Sequence, residues 1–214
     1  RRVVDDRVSA LLGREDGPRL WAVMEIGLQH EKQHQELIVT DIKHALGGNP
    51  LLPAPYAAPA EDDGASRALE RTRWRRFEGG VAHLGAEIGT DADGNAFRYD
   101  NEGPRHRVFL EPFEIAHRPV SNDEYLAFIG DGGYERPELW LSMGWAAVNE
   151  HGWTRPMYWF EDGGRWHQYT LHRGAAPLRG DEPVCHLSYF EADAFARWAG
   201  ARLPTEAEWE HAAA

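Results

Sequence analysis

The sequence predicts an α+β protein whose first part is helical and whose second part consists of short strands, long loops and a few helices. Apolar residues recur every three or four positions through residues 1–48, which is the period of an amphipathic helix. Prolines cluster within residues 49–70 and predict an extended linker. Residues 71–214 contain short apolar runs between Gly, Asp and Asn clusters, which is typical of strands joined by ordered loops.

Two helices are predicted before the linker. The first covers residues 1–12, where valines and leucines alternate with charges, and residues 13–18 break it. The second covers residues 19–46 and places apolar side chains on one face. Gly47, Gly48 and the following Asn and Pro give it a C-terminal stop.

The second part contains weaker but recognisable elements. Val81–Leu84 and Val108–Leu110 are predicted strands. Ser121 and Ser188 are each followed three residues later by a glutamate, a capping pattern that predicts helices over 121–129 and 188–199. Eight of the nine tryptophans lie beyond residue 73, and we expect them to anchor loops and core. The tryptophans predicted to serve as such anchors are Trp140, Trp145, Trp153, Trp159 and Trp166.

The composition argues against several classes of function. A net charge of −12 and a pI near 5.3 disfavour nucleic acid and anionic membrane surfaces as partners. No stretch approaches the roughly 18 consecutive apolar residues of a membrane span, and the first residues lack the apolar core of a secretory signal. The one cysteine, Cys185, has no internal partner for a disulfide. We therefore expect a cytoplasmic protein.

Both ends of the sequence fall within predicted helices. The first residue is not Met, and a helix that begins near Glu206 meets no terminating Gly or Pro. We expect a piece of a longer protein, cut at both ends.

The second helix contains the most informative motif, His30 and His34 four residues apart. Residues at this spacing lie on one face of a helix, and neutral imidazole binds iron, zinc, copper and nickel. The two histidines continue the face of Val23 and Gly27, which predicts that they point into a helical bundle. The spacing does not choose among the metals, and two nitrogens do not complete a site.

One alternative is a zinc peptidase, because His30 to His34 also match the HExxH pattern with Glu31 as general base. Charged Lys32 falls where the helix of such peptidases is usually apolar. The extended form of the motif requires a glycine and a histidine where this sequence has Leu37 and Thr40. The prolines of the linker leave no following helix for a glutamate ligand.

A second alternative is that both histidines are structural. Two neighbouring carboxylates, Glu36 and Asp41, argue against a structural role. Such groups commonly accept the second N–H of a ligating imidazole, and Glu36 is the candidate for this role.

Cys185 precedes a predicted helix in an apolar run. It is predicted to be buried and inert.

Several stretches together resemble the ergothioneine-biosynthesis sulfoxide synthases, which join a DinB-like helical bundle to a formylglycine-generating-enzyme-like, or sulfatase-modifying-factor, domain. The helical part of the resemblance is Gly27 to Leu37, continued by Thr40 to Leu46 and by Asn49 and Pro50. The second part is carried by residues 101–108, 183–188 and 191–210, the last of which contains RLPTEAEWE. The resemblance predicts the end of a DinB-like bundle in residues 1–48 and a C-type-lectin-like domain in residues 71–214.

The resemblance implies a non-haem Fe(II) centre held by three histidines. Two of them match His30 and His34, and the third belongs to an earlier helix that this sequence lacks. Gln33 matches the glutamine that approaches the substrate hercynine. The implied reaction joins C2 of the hercynine imidazole to the sulfur of γ-glutamylcysteine or cysteine and oxidises that sulfur with O2. The catalytic acid lies outside this sequence.

Other functions stay open at this point. Enzymes of the same architecture make ovothiol or selenoneine precursors, and a lectin-like domain can also be a binding protein without catalysis. Formylglycine-generating chemistry uses reactive cysteines or a copper site, and one cysteine cannot form such a pair. Should the chain bind iron tightly, the third ligand is expected at His44, His83 or His106.

Overall fold

The computed structural model describes residues 2–13, 17–57, 68–87 and 97–214. It contains two compact units, one of residues 1–45 with 85–106 and one of residues 46–84 with 107–214. Both contain helices, and short sheets complete the structure, which confirms the α+β class. Residues 58–67 of the predicted linker lie outside the described residues. Within the described ranges, no helix has the length and apolar character needed to cross a bilayer.

The first unit is mainly helical. Helix α1 covers Arg2–Leu12 and helix α2 covers Gly17–Gly47, which confirms both predicted helices. A 3₁₀ turn at Asp100–Glu102 belongs to the same unit, and the N–H of Ala86 donates to the carbonyl of Glu102 at 2.7 Å. Helix α1 buries none of its side chains, so its amphipathic pattern has no buried partner among the described residues.

The chain leaves α2 through a tight turn that belongs to the second unit. The side chain of Asn49 accepts a hydrogen bond from the N–H of Leu51 at 2.9 Å, as short polar side chains commonly do in turns. Farther on, the hydroxyl of Tyr169 donates to the carbonyl of Pro53 at 2.9 Å. The N–H of Tyr56 donates to the carbonyl of Leu171 at 3.2 Å. These bonds attach the extended segment to the sheet that contains Tyr169.

The second unit contains three small sheets. Strands β1 (Trp74–Phe77) and β4 (Phe113–Ala116) pair antiparallel, β2 (Gly80–Leu84) pairs with β3 (His106–Leu110), and β5 (Trp159–Asp162), β6 (Arg165–Thr170) and β7 (Gly174–Pro177) form an antiparallel meander. The two predicted strands are β2 and β3. The other five were missed because they are only four to six residues long, which is too short for a clear alternation. The turn at Gly163 and Gly164, both with positive φ, was the available signal for the β5–β6 hairpin.

Four helices complete this unit. They are α3 (Asn122–Gly130), α4 (Ser142–His151), α5 (Tyr189–Trp198) and α6 (Glu206–Ala213). The predictions for α3 and α5 are confirmed, with Ser121 and Ser188 as N-caps. Helix α4 was missed because its N-cap is Leu141, which offers no side-chain hydrogen bond. Its C-terminal cap, Gly152, has a φ of 62° as a left-handed cap requires.

Two apolar clusters form the core of the second unit. The larger one joins α3, α4, α5 and the first strand of the meander around Tyr125, Phe128 and Trp159. Trp140 and Trp159 are buried in it, and the other three tryptophans named above pack against it, so their predicted role as core and loop anchors is confirmed. The smaller cluster places Ala82, Leu110 and Phe113 beneath α6.

Close packing of α4 against α5 predicts a stability effect at Gly144. A methyl group on this buried glycine would lie 2.6 Å from Cβ of Phe190, which is too close to the α5 backbone for easy relief. We expect Gly144→Ala to destabilise the protein by about 1–3 kcal/mol through overpacking. Urea unfolding monitored by circular dichroism measures this.

The matched control for this prediction is Gly130→Ala. Gly130 is the last residue of α3, and nothing lies within 4 Å of the position of an added methyl group. Its alanine variant should be as stable as the parent or slightly more stable, because alanine loses less backbone entropy. Equal destabilisation of both variants would show that the close contact at Gly144 is not the cause of the effect.

Candidate functional site

Helix α2 presents its two predicted metal ligands as neighbours. The ring centroids of His30 and His34 lie 4.5 Å apart, with ring planes at 87°, and both side chains are exposed. This closeness follows from the spacing of four residues, which brings side chains together on a helix surface. One metal ion can therefore reach a nitrogen of each ring.

The face that contains these histidines is apolar and exposed. Val23 is 68% exposed and Leu37 is 54% exposed, and Ile26 and Ile38 are similar. Both histidines are exposed among the described residues, so their place inside a bundle stays a prediction. An apolar stripe of this kind is typical of a helix that packs against further helices.

Gln33 and Glu36 differ in their position relative to the histidines. Gln33 follows His30 by three residues and is therefore its neighbour on the helix surface. Glu36 follows His34 by two residues, and side chains at that spacing do not face each other. The main-chain carbonyl of Glu36 accepts the hydroxyl of Thr40 at 3.0 Å, and no described hydrogen bond joins its carboxylate to either imidazole. Its role beside the ligands stays a prediction.

The described residues do not bring a third ligand to the pair. Among them, no group of three or more His, Cys, Asp or Glu side chains is placed to hold a metal ion. His83 and His106 are both exposed, and Nδ1 of His106 lies 3.0 Å from the carbonyl of Pro104. The two imidazoles of helix α2 are donors of a kind that suits iron, zinc, copper and nickel.

The second unit contains a separate groove of about 970 Å³. Strand β4, the segment after it, α5 and α6 form its mainly apolar walls. Trp74 and Trp209 line it and are 54% and 60% exposed. Its polar lining includes Thr72, Arg118 and Glu124.

The carboxylate of Glu124 is fully engaged in this wall. It accepts the Arg118 guanidinium at 2.8 and 3.0 Å, the Thr72 hydroxyl at 2.8 Å and the N–H of Ser121 at 2.9 Å. The hydrogen bonds from Arg118 hold the pKa of Glu124 down at about 2. So low a pKa makes Glu124 a poor proton acceptor near neutral pH, and its role is to fix the start of α3.

Glu208 repeats this arrangement at the start of α6. Its carboxylate accepts two hydrogen bonds from Arg202, at 2.6 and 2.7 Å, and one from the N–H of Thr205 at 2.8 Å. The sequence pattern Thr205 to Glu208 is a capping box that could have identified this residue. Its ion pair with Arg202 could not be inferred from that pattern.

Cys185 corrects a prediction. It is exposed, not buried, and its thiol lies 3.4 Å from the carbonyl of Pro183. The short segment before α5 leaves the thiol at the surface because the apolar neighbours Val184 and Leu187 take the places against the core.

Comparison with known proteins identifies the second part of the chain. The profile of the sulfatase-modifying factor enzyme 1-like domain matches residues 67–214. The chain belongs to this family. The three small sheets, the capped helices and the aromatic core described above therefore form a sulfatase-modifying-factor domain.

Curated relatives of this sulfatase-modifying-factor protein fall into two groups. The hercynine oxygenase of Mycolicibacterium smegmatis is 39% identical over 187 residues, covering 87% of this chain and 40% of the relative. That of Mycobacterium tuberculosis is 40% identical over 200 residues, covering 94% of this chain and 44% of the relative. The formylglycine-generating enzyme of Streptomyces coelicolor is 34% identical over 171 residues, covering 75% of this chain and 53% of the relative. The chain thus spans less than half the length of these hercynine oxygenases.

The Arg202–Glu208 pair predicts acid sensitivity. Hydrogen bonds from Arg202 lower the pKa of Glu208 from an ordinary 4.5 to about 2. The carboxyl group of Glu208 therefore binds a proton less tightly in the folded state than in the unfolded state. The stabilisation that the Arg202–Glu208 pair provides is present above about pH 4.5 and is lost as the pH falls towards 2. Urea unfolding at several pH values should give a smaller dependence on pH for Glu208→Gln than for the parent in this window.

Glu206→Gln is the matched control for acid sensitivity. It removes an exposed carboxylate from the first turn of the same helix without breaking a described ion pair. Its unfolding free energy should follow that of the parent across the same pH range. If Glu208→Gln also follows the parent, the ion pair contributes nothing to acid stability.

The histidine pair predicts weak metal binding by this chain alone. Two imidazoles supply two ligands, so we expect Fe(II) to bind weakly in anaerobic isothermal titration, and His30→Ala or His34→Ala to remove that binding. His151→Ala, an exposed histidine of α4, is the control and should leave it unchanged. Tight stoichiometric binding that survives both variants would contradict this and would direct attention to His44, His83 and His106.

Proposed function

We propose that this chain is part of a non-haem iron(II), O2-dependent sulfoxide synthase of the hercynine oxygenase type. One observation supports this over a formylglycine-generating enzyme. The alignment with the Mycobacterium tuberculosis hercynine oxygenase covers 94% of the chain, whereas the sulfatase-modifying-factor match covers residues 67–214. An alignment of that extent must include α2 with both histidines.

In this proposal His30 and His34 are two of the iron ligands. Their imidazoles are adjacent on one helix face, and neutral imidazole suits iron. The third histidine comes from a DinB-like bundle of which residues 1–48 are the last part. The iron supplies the place where the thiol, the hercynine imidazole and O2 meet. The apolar, exposed stripe on α2 supports a bundle of this kind, because such a stripe packs against other helices.

Gln33 is the proposed substrate-binding residue of this helix. It lies beside His30 on the helix surface, and its amide can both donate and accept a hydrogen bond. A substrate imidazole has one donor and one acceptor nitrogen, which matches this amide. In this proposal Gln33 orients the ring of hercynine by a hydrogen bond.

The overall reaction balances with O2 as the sole oxidant. Hercynine loses the hydrogen on C2 and the thiol loses its hydrogen, a carbon–sulfur bond forms, and one oxygen atom joins the sulfur. The two hydrogens and the second oxygen atom leave as water. The four electrons that reduce O2 come from forming the carbon–sulfur bond and from oxidising the sulfur.

The sulfatase-modifying-factor domain has a different role in this proposal. It serves as a scaffold domain, and the metal chemistry stays with helix α2. Hercynine, O2 and γ-glutamylcysteine or cysteine are the proposed small-molecule partners.

The decisive experiment uses the protein at the length of its hercynine oxygenase relatives, loaded with Fe(II). Supplied with hercynine, γ-glutamylcysteine or cysteine, and air, it should form a sulfoxide detectable by mass spectrometry. The His30→Ala variant should react at least 100-fold more slowly than the parent. This corresponds to an increase of about 3 kcal/mol in the activation free energy. An unchanged rate would remove His30 from the iron site.

Two further arms of this experiment test substrate binding and substrate class. Gln33→Ala should raise KM for hercynine while iron content stays at the parent level, and exposed Lys32→Ala is its control on the same helix. Replacing hercynine by histidine, or the thiol by a selenium analogue, tests the ovothiol and selenoneine alternatives. A protein without stoichiometric iron and without turnover on any pair would be the non-catalytic binding protein instead.

A further inference from the structure

The core of the second unit contains a buried chain of hydroxyl groups that ends on a carboxylate. The hydroxyl of Tyr134 donates to Oε1 of Glu191 at 2.6 Å, and the hydroxyl of Tyr125 lies 3.1 Å from that of Tyr134. Tyr134 is 7% exposed, Tyr125 is fully buried and Glu191 is 5% exposed. The other carboxylate oxygen of Glu191 accepts the N–H of Ser188 at 2.8 Å. The phenol of Tyr134 thus has a fixed proton acceptor inside the core.

Nearer the surface, a second aromatic side chain, Trp198, donates a hydrogen bond to a carboxylate. The indole N–H of Trp198 donates to Oδ2 of Asp131 at 2.8 Å, where Trp198 is half-buried and Asp131 is exposed. The centroid of the Phe195 ring lies 5.6 Å from the ring centroid of Trp198 and 5.4 Å from the ring centroid of Tyr125. These rings connect the surface indole to the buried tyrosines without a break.

Burial determines how Tyr134 can lose its proton. Removal from water raises the pKa of Tyr134, and the nearby Tyr125 and Glu191 add to this. The phenol therefore stays protonated across the ordinary pH range. A buried phenol cation formed by loss of an electron alone is costly, because an unpaired charge in the core has no solvation. Loss of the electron must accordingly be accompanied by transfer of the proton to Glu191.

We propose that Tyr134 is a one-electron redox centre with Glu191 as its proton acceptor and Trp198 as its entrance from the surface. In the step, the Tyr134 O–H bond breaks, the proton passes to the carboxylate of Glu191, and the electron passes through Trp198 to a strong one-electron oxidant of the class that partly reduced oxygen species represent. The products are a neutral tyrosyl radical, a protonated Glu191 and the oxidant reduced by one electron. This inference does not depend on the function proposed above.

The consequence is a place for stray oxidising equivalents within the domain. An equivalent that reaches Trp198 at the surface moves to a tyrosine that is shielded from solvent, where the radical has few partners for damaging reactions. The carboxylate returns the proton when a reductant supplies the electron. At the entrance, Oδ2 of Asp131 accepts the indole N–H of Trp198 and also the guanidinium of Arg136 at 3.0 Å, so it fixes the position of the indole.

The test oxidises the protein with photogenerated ruthenium(III) tris-bipyridine and follows the tyrosyl radical by electron paramagnetic resonance. Tyr134→Phe should lose most of the neutral tyrosyl signal. Glu191→Gln keeps the capping pattern, because glutamine also serves at that position, but it offers no base and should lower the radical yield severalfold. Trp198→Phe should slow the appearance of the radical. Exposed Tyr189→Phe is the matched control and should leave the buried signal intact.

The outcomes are distinguishable. A tyrosyl signal of equal size in Tyr134→Phe would overturn the proposal, as would an equal yield in Glu191→Gln. Circular dichroism checks that each variant is folded, and if Tyr134→Phe does not fold, the yield in Glu191→Gln and the rate in Trp198→Phe decide the matter. A slower radical formation in deuterated water is expected for the parent, and its absence would show that the proton does not move with the electron.

Discussion

The second unit depends on one repeated interaction, a glutamate at the third position of a helix that binds both the start of its own helix and a side chain from elsewhere. Glu124, Glu191 and Glu208 each accept the N–H of a Ser or Thr N-cap. Their second partners are Arg118, Tyr134 and Arg202. Removing such a glutamate frees helix N–H groups and leaves a second polar group without its partner, and both effects are destabilising.

This constraint explains how a domain with short sheets maintains a fixed core. Sheets of two and three strands bury little by themselves, so the helices must be held in place by their ends. The Glu191 carboxylate joins the first turn of α5 to the turn that contains Tyr134, and aromatic rings from α3 and α5 fill the space between. The same residues that stabilise the domain thereby place a phenol, a carboxylate and an indole in series, which is the basis of the inferred redox centre.

The candidate metal site obeys a different physical rule. Its two histidines become neighbours through helix periodicity alone, without help from tertiary packing. Membership in the sulfatase-modifying-factor family assigns the scaffold, and a scaffold does not determine chemistry. The chemistry proposed here therefore depends on α2, on the extent of the similarity to hercynine oxygenases, and on ligands that this chain does not supply among its described residues.

The sequence by itself determined whatever is encoded over a few residues. Helical periodicity predicted α1 and α2, capping boxes predicted α3 and α5, and spacing predicted that His30 and His34 would be neighbours. Tertiary structure alone decided the contacts between distant residues. It paired the short strands β5 to β7, made Tyr134 the partner of Glu191 across 57 residues, and placed Cys185 at the surface. Local patterns specify helix ends and faces because those interactions span one turn, whereas long-range partners are set by the packing of the whole domain.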